Sequence, residues 1–547
     1  MKVVKFFGLM LGTVLLLLLL HASNLLRFDP RQILSISIFS MFIYGTLLFG
    51  EFRLAFAFGG IALLMACSLL TVERFTQAAS LDVLVFLIGT FLVIGYLEEY
   101  QFFEHVVSAI MGVVGPRPEA LLLIMMVVAS VASALVGEVT AILFMAGSAL
   151  HLTNKYKLNP VPFVIMLVFA CNNGSAMSSV GNPIGVLIAL KTGLGFVDFV
   201  KYAAPVAIVV DIVTFAICRW WFADAFTAFG SAVRREFASA ARAVAAPTVM
   251  VGGGGPEGNT AGFAEDADSN LPPDVTEGST DDAPFYSPHA DESPREQRRA
   301  FSRCWIILLT LILLLVTHKQ TETWLGELFH CPLVDPGGTV VHAADGAVVY
   351  GLREGTMMVA AALVMGGVVL LLEREKAREL VERRVDWWTL SFFMMLFASV
   401  GTLQDTGVTE VIAVKLGAMG GGHTMVIQTI GWATGWLSAF LDNVLAVATF
   451  MPVVHDIRMK AGVPYSSAIY WFMLFGGTFM GNMTIIGSTA NIVACGLLER
   501  RGHGTVRFGY WMKIGFIVAI ASMVVATLLL KVESHWLPMM QPPGPGQ

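Results

Sequence analysis

Residues 481–496 read GNMTIIGSTANIVACG, with two Asn, two Thr, one Ser and three Gly in a stretch otherwise apolar enough to lie in a bilayer. Where a membrane helix unwinds, its freed N–H and C=O groups must be buried in protein or line a wet cavity. Gly permits the dihedrals and close approach that such a break needs. Ser, Thr and Asn supply short donors and acceptors for an ion. A helix-packing face of small residues would account for the glycines, but it gives no reason for Asn482 and Asn491. The stretch is therefore read as a breach in a membrane helix. Gly481 and Gly487 mark the break, and Asn482, Thr484, Ser488, Thr489 and Asn491 are the candidate ion-binding groups.

The same make-up occurs once more, in CNNGSAMSSVGNPIG at 171–185. Here Asn172, Asn173, Ser178, Ser179 and Asn182 are the candidate ligands, and Gly174, Gly181 and Pro183 mark the break. Pro183 removes a backbone donor and so disfavours a regular helix. The two stretches are related by an offset near 306. Gly181 falls on Gly487, Gly95 in FLVIGYLEEY falls on Gly401 in FASVGTLQDT, and Glu138 falls one residue past the Asp442-Asn443 pair. Three landmarks in one order at one spacing argue for a duplicated unit. Duplicated halves whose broken helices meet at the membrane midplane are a design of secondary transporters.

Composition supports a membrane protein. Of 547 residues 56% are hydrophobic and only 14% charged, against roughly 25% charged in soluble domains. Apolar runs of spanning length recur, which length alone assigns to membrane helices, and they lack the two-residue alternation of a barrel. The expected fold is an all-α polytopic membrane protein of ten to twelve crossings, some broken or re-entrant, built as two repeats. Residues 1–50 form N-terminal membrane segments, the first of which also fits a signal peptide. Residues 51–220 form the first repeat, and 355–530 the second. Between them, 221–302 is Gly-, Pro- and acid-rich and reads as a disordered linker, while 303–354 reads as a linking helix and external loop. Arg and Lys clusters at 295–303 and 374–384 favour a cytoplasmic linker. A plasma (inner) membrane location is expected.

Two carboxylates, Glu138 and Asp442, interrupt long apolar runs, and Asn443 neighbours the second. Intramembrane carboxylates are costly and mark ion pathways or bundle-facing contacts, so these two are assigned a coupling role. Asp211 also lies in an apolar run but shows no obvious partner. The six Cys have no CxxC spacing and read as buried small side chains. No HExxH, GxSxG, Walker or dinucleotide motif occurs, so an enzyme is not expected. Nor is a cofactor or a resident metal, sodium entering only as cargo or coupling ion, and no nucleic-acid partner is expected. The reading is a gradient-coupled secondary transporter, with cation/proton antiport ahead of an anion permease. A channel ranks lower, because the polar residues cluster at paired points and do not form a continuous lining.

The motifs resemble those of the ion transporter superfamily that includes arsenite permeases, NhaD-type sodium/proton antiporters, citrate-transporter-like proteins and the melanosomal P protein. FGGTFMGNMTIIGSTANIVACG at 475–496 is similar to that family's Gly-Gly-Asn-x-Thr-Leu-Ile-Gly-Ala-Ser-Ala-Asn signature. Leu441-Asp442-Asn443 matches its second-half Leu-Asp-Asn element, and Gly181-Asn182-Pro183 its first-half Gly-Asp-Pro element. The first half departs in reading Val136-Gly137-Glu138 for Leu-Asp-Asn, which suggests that the charge has been relocated to Glu138. The resemblance implies inverted repeats with re-entrant hairpins and discontinuous helices in each, a homodimer, and proton or sodium as the coupling ion for a small inorganic or organic ion.

Overall fold

A computed structural model describes residues 2–23, 26–103, 105–106, 117–245, 294–334, 339–342, 346–418, 422–460 and 467–533. The chain is an all-α polytopic membrane protein. Eight of its described helices are long and apolar enough to cross a membrane, and shorter apolar helices stand among them.

The first half comprises α1 (Lys2–Ala22), α2 (Pro30–Leu48), α3 (Arg53–Ala66), α4 (Val72–Ala78), α5 (Leu81–Glu99), α6 (Pro118–Val136), α7 (Glu138–Lys155), α8 (Val161–Gly174), α9 (Pro183–Thr192) and α10 (Ala204–Trp221). Helices α11 (Ala223–Ala245) and α12 (Pro294–Leu328) follow. The second half comprises α13 (Thr356–Glu373), α14 (Ala377–Arg384), α15 (Trp387–Asp405), α16 (Val408–Gly417), α17 (Gly422–Phe440), α18 (Asn443–Lys460), α19 (Ala468–Met480), α20 (Thr489–Arg500) and α21 (Phe508–Glu533).

Both breaches read from the sequence are present. Helix α8 stops at Gly174, gives one tight turn over Ser175–Met177, and runs extended through Ser178 before α9 starts at Pro183. Helix α19 stops at Met480, turns over Gly481–Met483, extends at Thr484, turns again over Ile485–Gly487, and extends at Ser488 before α20. The two tight turns differ by 306 at both ends, as do α5 and α15. Their tethers correspond too. Ser178 Oγ donates to the Ala134 carbonyl where Thr484 Oγ1 donates to the Ala439 carbonyl. Ser133 Oγ donates to Cys171 O and Ser438 Oγ to Gly477 O, each at 2.6 Å.

The repeats interlock through their short arms. Helix α9 of the first half packs on α18 of the second, and α20 of the second packs on α7 of the first. Apolar side chains drive this contact. Ala490, Ala494 and Leu498 of α20 share one buried cluster with Ala141 and Met145 of α7. Each fully buried aliphatic side chain in such a contact contributes roughly 1.5–3 kcal/mol in water, but in lipid the gain is close packing.

Several sequence-derived boundaries move. The long apolar runs that Glu138 and Asp442 interrupt, 119–150 and 423–452, are each broken. Gly137 stands between α6 and α7 at φ 95°, and Leu441 and Asp442 separate α17 from α18. A side chain at φ 95° would be strained, so glycine is the residue that allows this turn. The linker expected over 221–302 is helical at both ends, over Ala223–Ala245 and from Pro294 onward. Phe226, Phe229 and Val233 recur at helical spacing and are buried against the first-half core, which overrides the segment's polar composition. Its central part, 246–293, lies outside the described residues. The linking helix expected within 303–354 is long, α12 running on to Leu328, and the loop begins only after it. The charged stretch before α15 forms α14, whose Arg384 pairs with Glu98 at 3.1 Å and with Glu99 at the end of α5.

Candidate functional site

Two hairpins that unwind opposite each other must satisfy their freed polar groups from one another. Asn172, at the end of α8, donates through Nδ2 to Asn482 Oδ1 at 2.7 Å and to Asn491 Oδ1 at 2.8 Å. Asn482 Nδ2 returns a bond to Asn173 Oδ1 at 3.0 Å. Asn491 Nδ2 binds the carbonyls of Gly481 and Thr484, both at 2.8 Å, holding its own breach open. All four amides are completely buried. In an apolar interior an unpaired amide costs about 1–3 kcal/mol, so the network fixes the register of one repeat against the other.

Glu138 joins the network from the break between α6 and α7. Its backbone N–H donates to the Gly181 carbonyl at 3.2 Å, which ties the α6–α7 break to the first hairpin. Its Oε1 accepts from Asn443 Nδ2 at 3.0 Å and Ser488 Oγ at 3.2 Å, both from the second repeat. Its Oε2 is buried and has no hydrogen-bond partner among the described residues, and neither has Ser179 Oγ. A buried carboxylate oxygen left open in this way is a place for a cation or a proton.

Asp442, half-buried, lies beside this group. Its Oδ1 accepts from Val444 N–H at 3.0 Å, and its Oδ2 accepts from Thr489 Oγ1 at 3.2 Å. Glu138 and Asp442 sit at the N-termini of α7 and α18, and α9 and α20 also begin at the breaches. Four helix N-termini therefore carry partial positive charge toward the region, and two carboxylates offset it.

Other expected ligands are engaged differently. Ser178 Oγ donates to Ala134 O and accepts from the N–H groups of Val180 and Gly181 at 3.1 Å each, which uses its whole capacity. Asn182 caps α9 by accepting from Gly185 N–H at 2.7 Å, while its amide holds Ser175. Thr484 is the counterpart of Ser178, and Ser488 caps α20 through Ala490 N–H at 3.2 Å. Pro183 opens α9, and Gly174, Gly181, Gly481 and Gly487 stand at the crossings of each hairpin.

The sequence reading left Asp211 without a partner, and the structure supplies two. Ser130 Oγ lies 2.5 Å from its Oδ2, Asn173 Nδ2 lies 3.0 Å from its Oδ1, and Asn173 Nδ2 also reaches Thr214 at 3.1 Å. The usable signal was the second Asn of the Asn172-Asn173 pair, which needs a partner of its own. Between the repeats lies a cavity of about 360 Å³, lined among others by Leu187, Lys191, Gly401, Ala448 and His455. It begins little more than a turn beyond the N-termini of α9 and α18, and Arg74 pairs with Asp405 at its wall. Among the described residues no group of three or more His, Cys, Asp or Glu is placed to hold a metal ion.

Comparison with known proteins agrees with this architecture. The citrate transporter (CitMHS) family profile matches residues 44–476 and 348–541. A 46 kDa membrane protein of Mycobacterium leprae is 24% identical over 454 residues, covering 82% of this chain and 85% of that protein. The human P protein is 22% identical over 519 residues, covering 88% of this chain and 57% of that protein. The solved YdaH transporter of Alcanivorax borkumensis, described as having an unusual topology, superposes with a TM-score of 0.50 at 15% identity, covering 88% of this chain and 90% of that one. With its fold, its paired breaches and a profile match over most of its length, the chain belongs to the citrate transporter family of membrane transporters.

Proposed function

We propose that the protein is a gradient-coupled secondary transporter that exchanges a small cation for protons at the crossing of its two breached hairpins. One observation carries this reading. The buried network presents carboxylate, amide and hydroxyl oxygens, with one Glu138 oxygen open, and includes no Lys, Arg or His among its described contacts. A carboxylate that alternately holds a cation and a proton is sufficient machinery for exchange. Inverted repeats, a homodimeric assembly and a plasma-membrane location complete the proposal. The two halves would expose the crossing to each side in turn.

A second reading, carriage of a citrate-like anion, is favoured by the four helix N-termini at the breaches, which suit a carboxylate-bearing substrate, and by the family's description. Purified protein in liposomes with an imposed pH gradient separates the two. Saturable collapse of the gradient by sodium or lithium supports exchange. Movement of citrate or arsenite without effect of the alkali cations supports the anion reading. Unsaturable conductance contradicts both.

Asp442→Asn is expected to keep the bond from Val444 N–H, since Asn retains an acceptor oxygen, and so to keep the protein folded. Transport is expected to fall by about tenfold or more, on the order of one charge-assisted hydrogen bond. Unchanged transport would remove Asp442 from the mechanism.

A further inference from the structure

The hydrogen-bond chain does not end at the breaches. From Asp211 on α10 it passes through Asn173, Asn482, Asn172 and Ser488 to Glu138, each link a side-chain contact between 2.7 and 3.2 Å. A serine stands at each end of it, and each faces one more acceptor than it can serve. A hydroxyl has one proton to donate. Ser130 Oγ lies 3.0 Å from Ala170 O and 2.5 Å from Asp211 Oδ2. Ser488 Oγ lies 3.0 Å from Asn172 Oδ1 and 3.2 Å from Glu138 Oε1.

The neighbouring serines offer one assignment for the Ser130 proton. Ser133 and Ser438 each give theirs to a carbonyl of the facing helix, as Ser130 does when it bonds Ala170 O. With Ser130 so engaged, a proton on the Asp211 carboxyl would supply the donor for its contact with Ser130. The second repeat differs at this point. At the position 306 residues after Asp211 stands Ile517, and α21 instead meets its hairpin through Trp511 Nε1, which donates to Asn482 O at 3.0 Å.

We propose that Asp211 is a proton-binding site of this transporter, separate from the open oxygen of Glu138 and joined to it by the Asn173–Asn482–Asn172–Ser488 chain. Protonation at Glu138 would let Ser488 turn to Asn172, and loss of the proton from Asp211 would draw Ser130 away from Ala170. Each carboxylate thus sets the orientation of one terminal hydroxyl. The coupling role rests on the proton-coupled reading above, but the site itself does not.

Few other charges face Asp211. Helix α6 contributes Glu119 near its start, paired with Arg219 at 2.8 Å and separated from Ser130 by most of the helix. Helix α8 contributes only the Cys171 thiol, within reach of Ala129 O at 3.8 Å. Lys201 before α10, Asp224 on α11 and Lys513 on α21 are exposed. The tight turn Ser175–Met177 contributes none.

The test is infrared difference spectroscopy of the purified full-length protein between acid and alkaline buffer, paired with transport in liposomes. Wild type is expected to show a protonated-carboxyl C=O band that is absent from Asp211→Asn. Ser130→Ala is expected to shift that band. In liposomes the pH dependence of gradient-driven sodium uptake is expected to move in Ser130→Ala, with uptake at the wild-type optimum changed by about tenfold, as for one unit of proton affinity. A band unchanged in both variants overturns the proposal, and Ser130→Ala keeps this decision open should Asp211→Asn fail to fold. If the band is lost while wild type moves no cation against protons, the proton site stands and the exchange reading falls.

Discussion

Glu138→Gln is expected to abolish gradient-driven transport while leaving the protein folded and inserted. Gln keeps an acceptor oxygen where Glu138 Oε1 receives Asn443 Nδ2 at 3.0 Å and Ser488 Oγ at 3.2 Å. The partners that would otherwise be stranded in the interior therefore stay satisfied. What Gln removes is the charge, and with it the open Oε2, which becomes an amide donor that repels a cation and cannot exchange a proton. Losing a charge-assisted contact of about 1.5–3 kcal/mol corresponds to a fall of about 10- to 100-fold, and loss of coupling lowers net flux further. Size-exclusion elution and thermal melting report folding, and liposome uptake reports function. Glu138→Ala, in contrast, also strands Asn443 and Ser488 and is expected to melt earlier. Wild-type uptake by Glu138→Gln would mean that Glu138 serves only to join the repeats.

Gly487→Ala is expected to damage the second hairpin severely. A Cβ there would stand 2.6 Å from Gly481 O and 3.1 Å from Ser438 O. Both neighbours are backbone and cannot rotate away, so relief requires the hairpin to shift against α17. Overpacking of this kind costs about 3 kcal/mol, and it would also displace Ser488 from Glu138. Gly496→Ala, in the helix α20 that follows the break, meets nothing within 4 Å and is expected to stay within about 0.5 kcal/mol of wild type. Melting curves of the two variants measure the contrast directly. Equal melting would show that the crossing at Gly487 is looser than described.

The breaches were legible because a membrane segment cannot carry Asn, Ser and Gly together without a reason, and both 171–185 and 481–491 unwind where those residues lie. The offset of 306 was legible for the same cause, since polar landmarks stand out on an apolar background. Less could be read of the broken runs 119–150 and 423–452. A two-residue break at Leu441–Asp442, or a single Gly137 at φ 95°, leaves hydropathy almost unchanged. The division of labour among the polar groups was hidden as well. Nothing in one-dimensional spacing separates Ser178, consumed by three bonds to backbone groups of its own repeat, from Ser488, which reaches Glu138 across the repeats. Asp211 was passed over because its partners come from α6 and α8, 81 and 38 residues away in the chain. The helix α11 was masked by charge, its buried face resting on Phe226, Phe229 and Val233 amid Arg and Glu.

Everything above depends on the transported ion binding where the two hairpins cross. The direct measurement is equilibrium binding to detergent-purified protein, by titration calorimetry over sodium, lithium, arsenite and citrate, in wild type, Glu138→Gln and Asn482→Ala. Whichever ion binds wild type saturably is expected to lose that binding in both variants. Undiminished affinity in variants that remain folded would place the ion elsewhere and contradict the account.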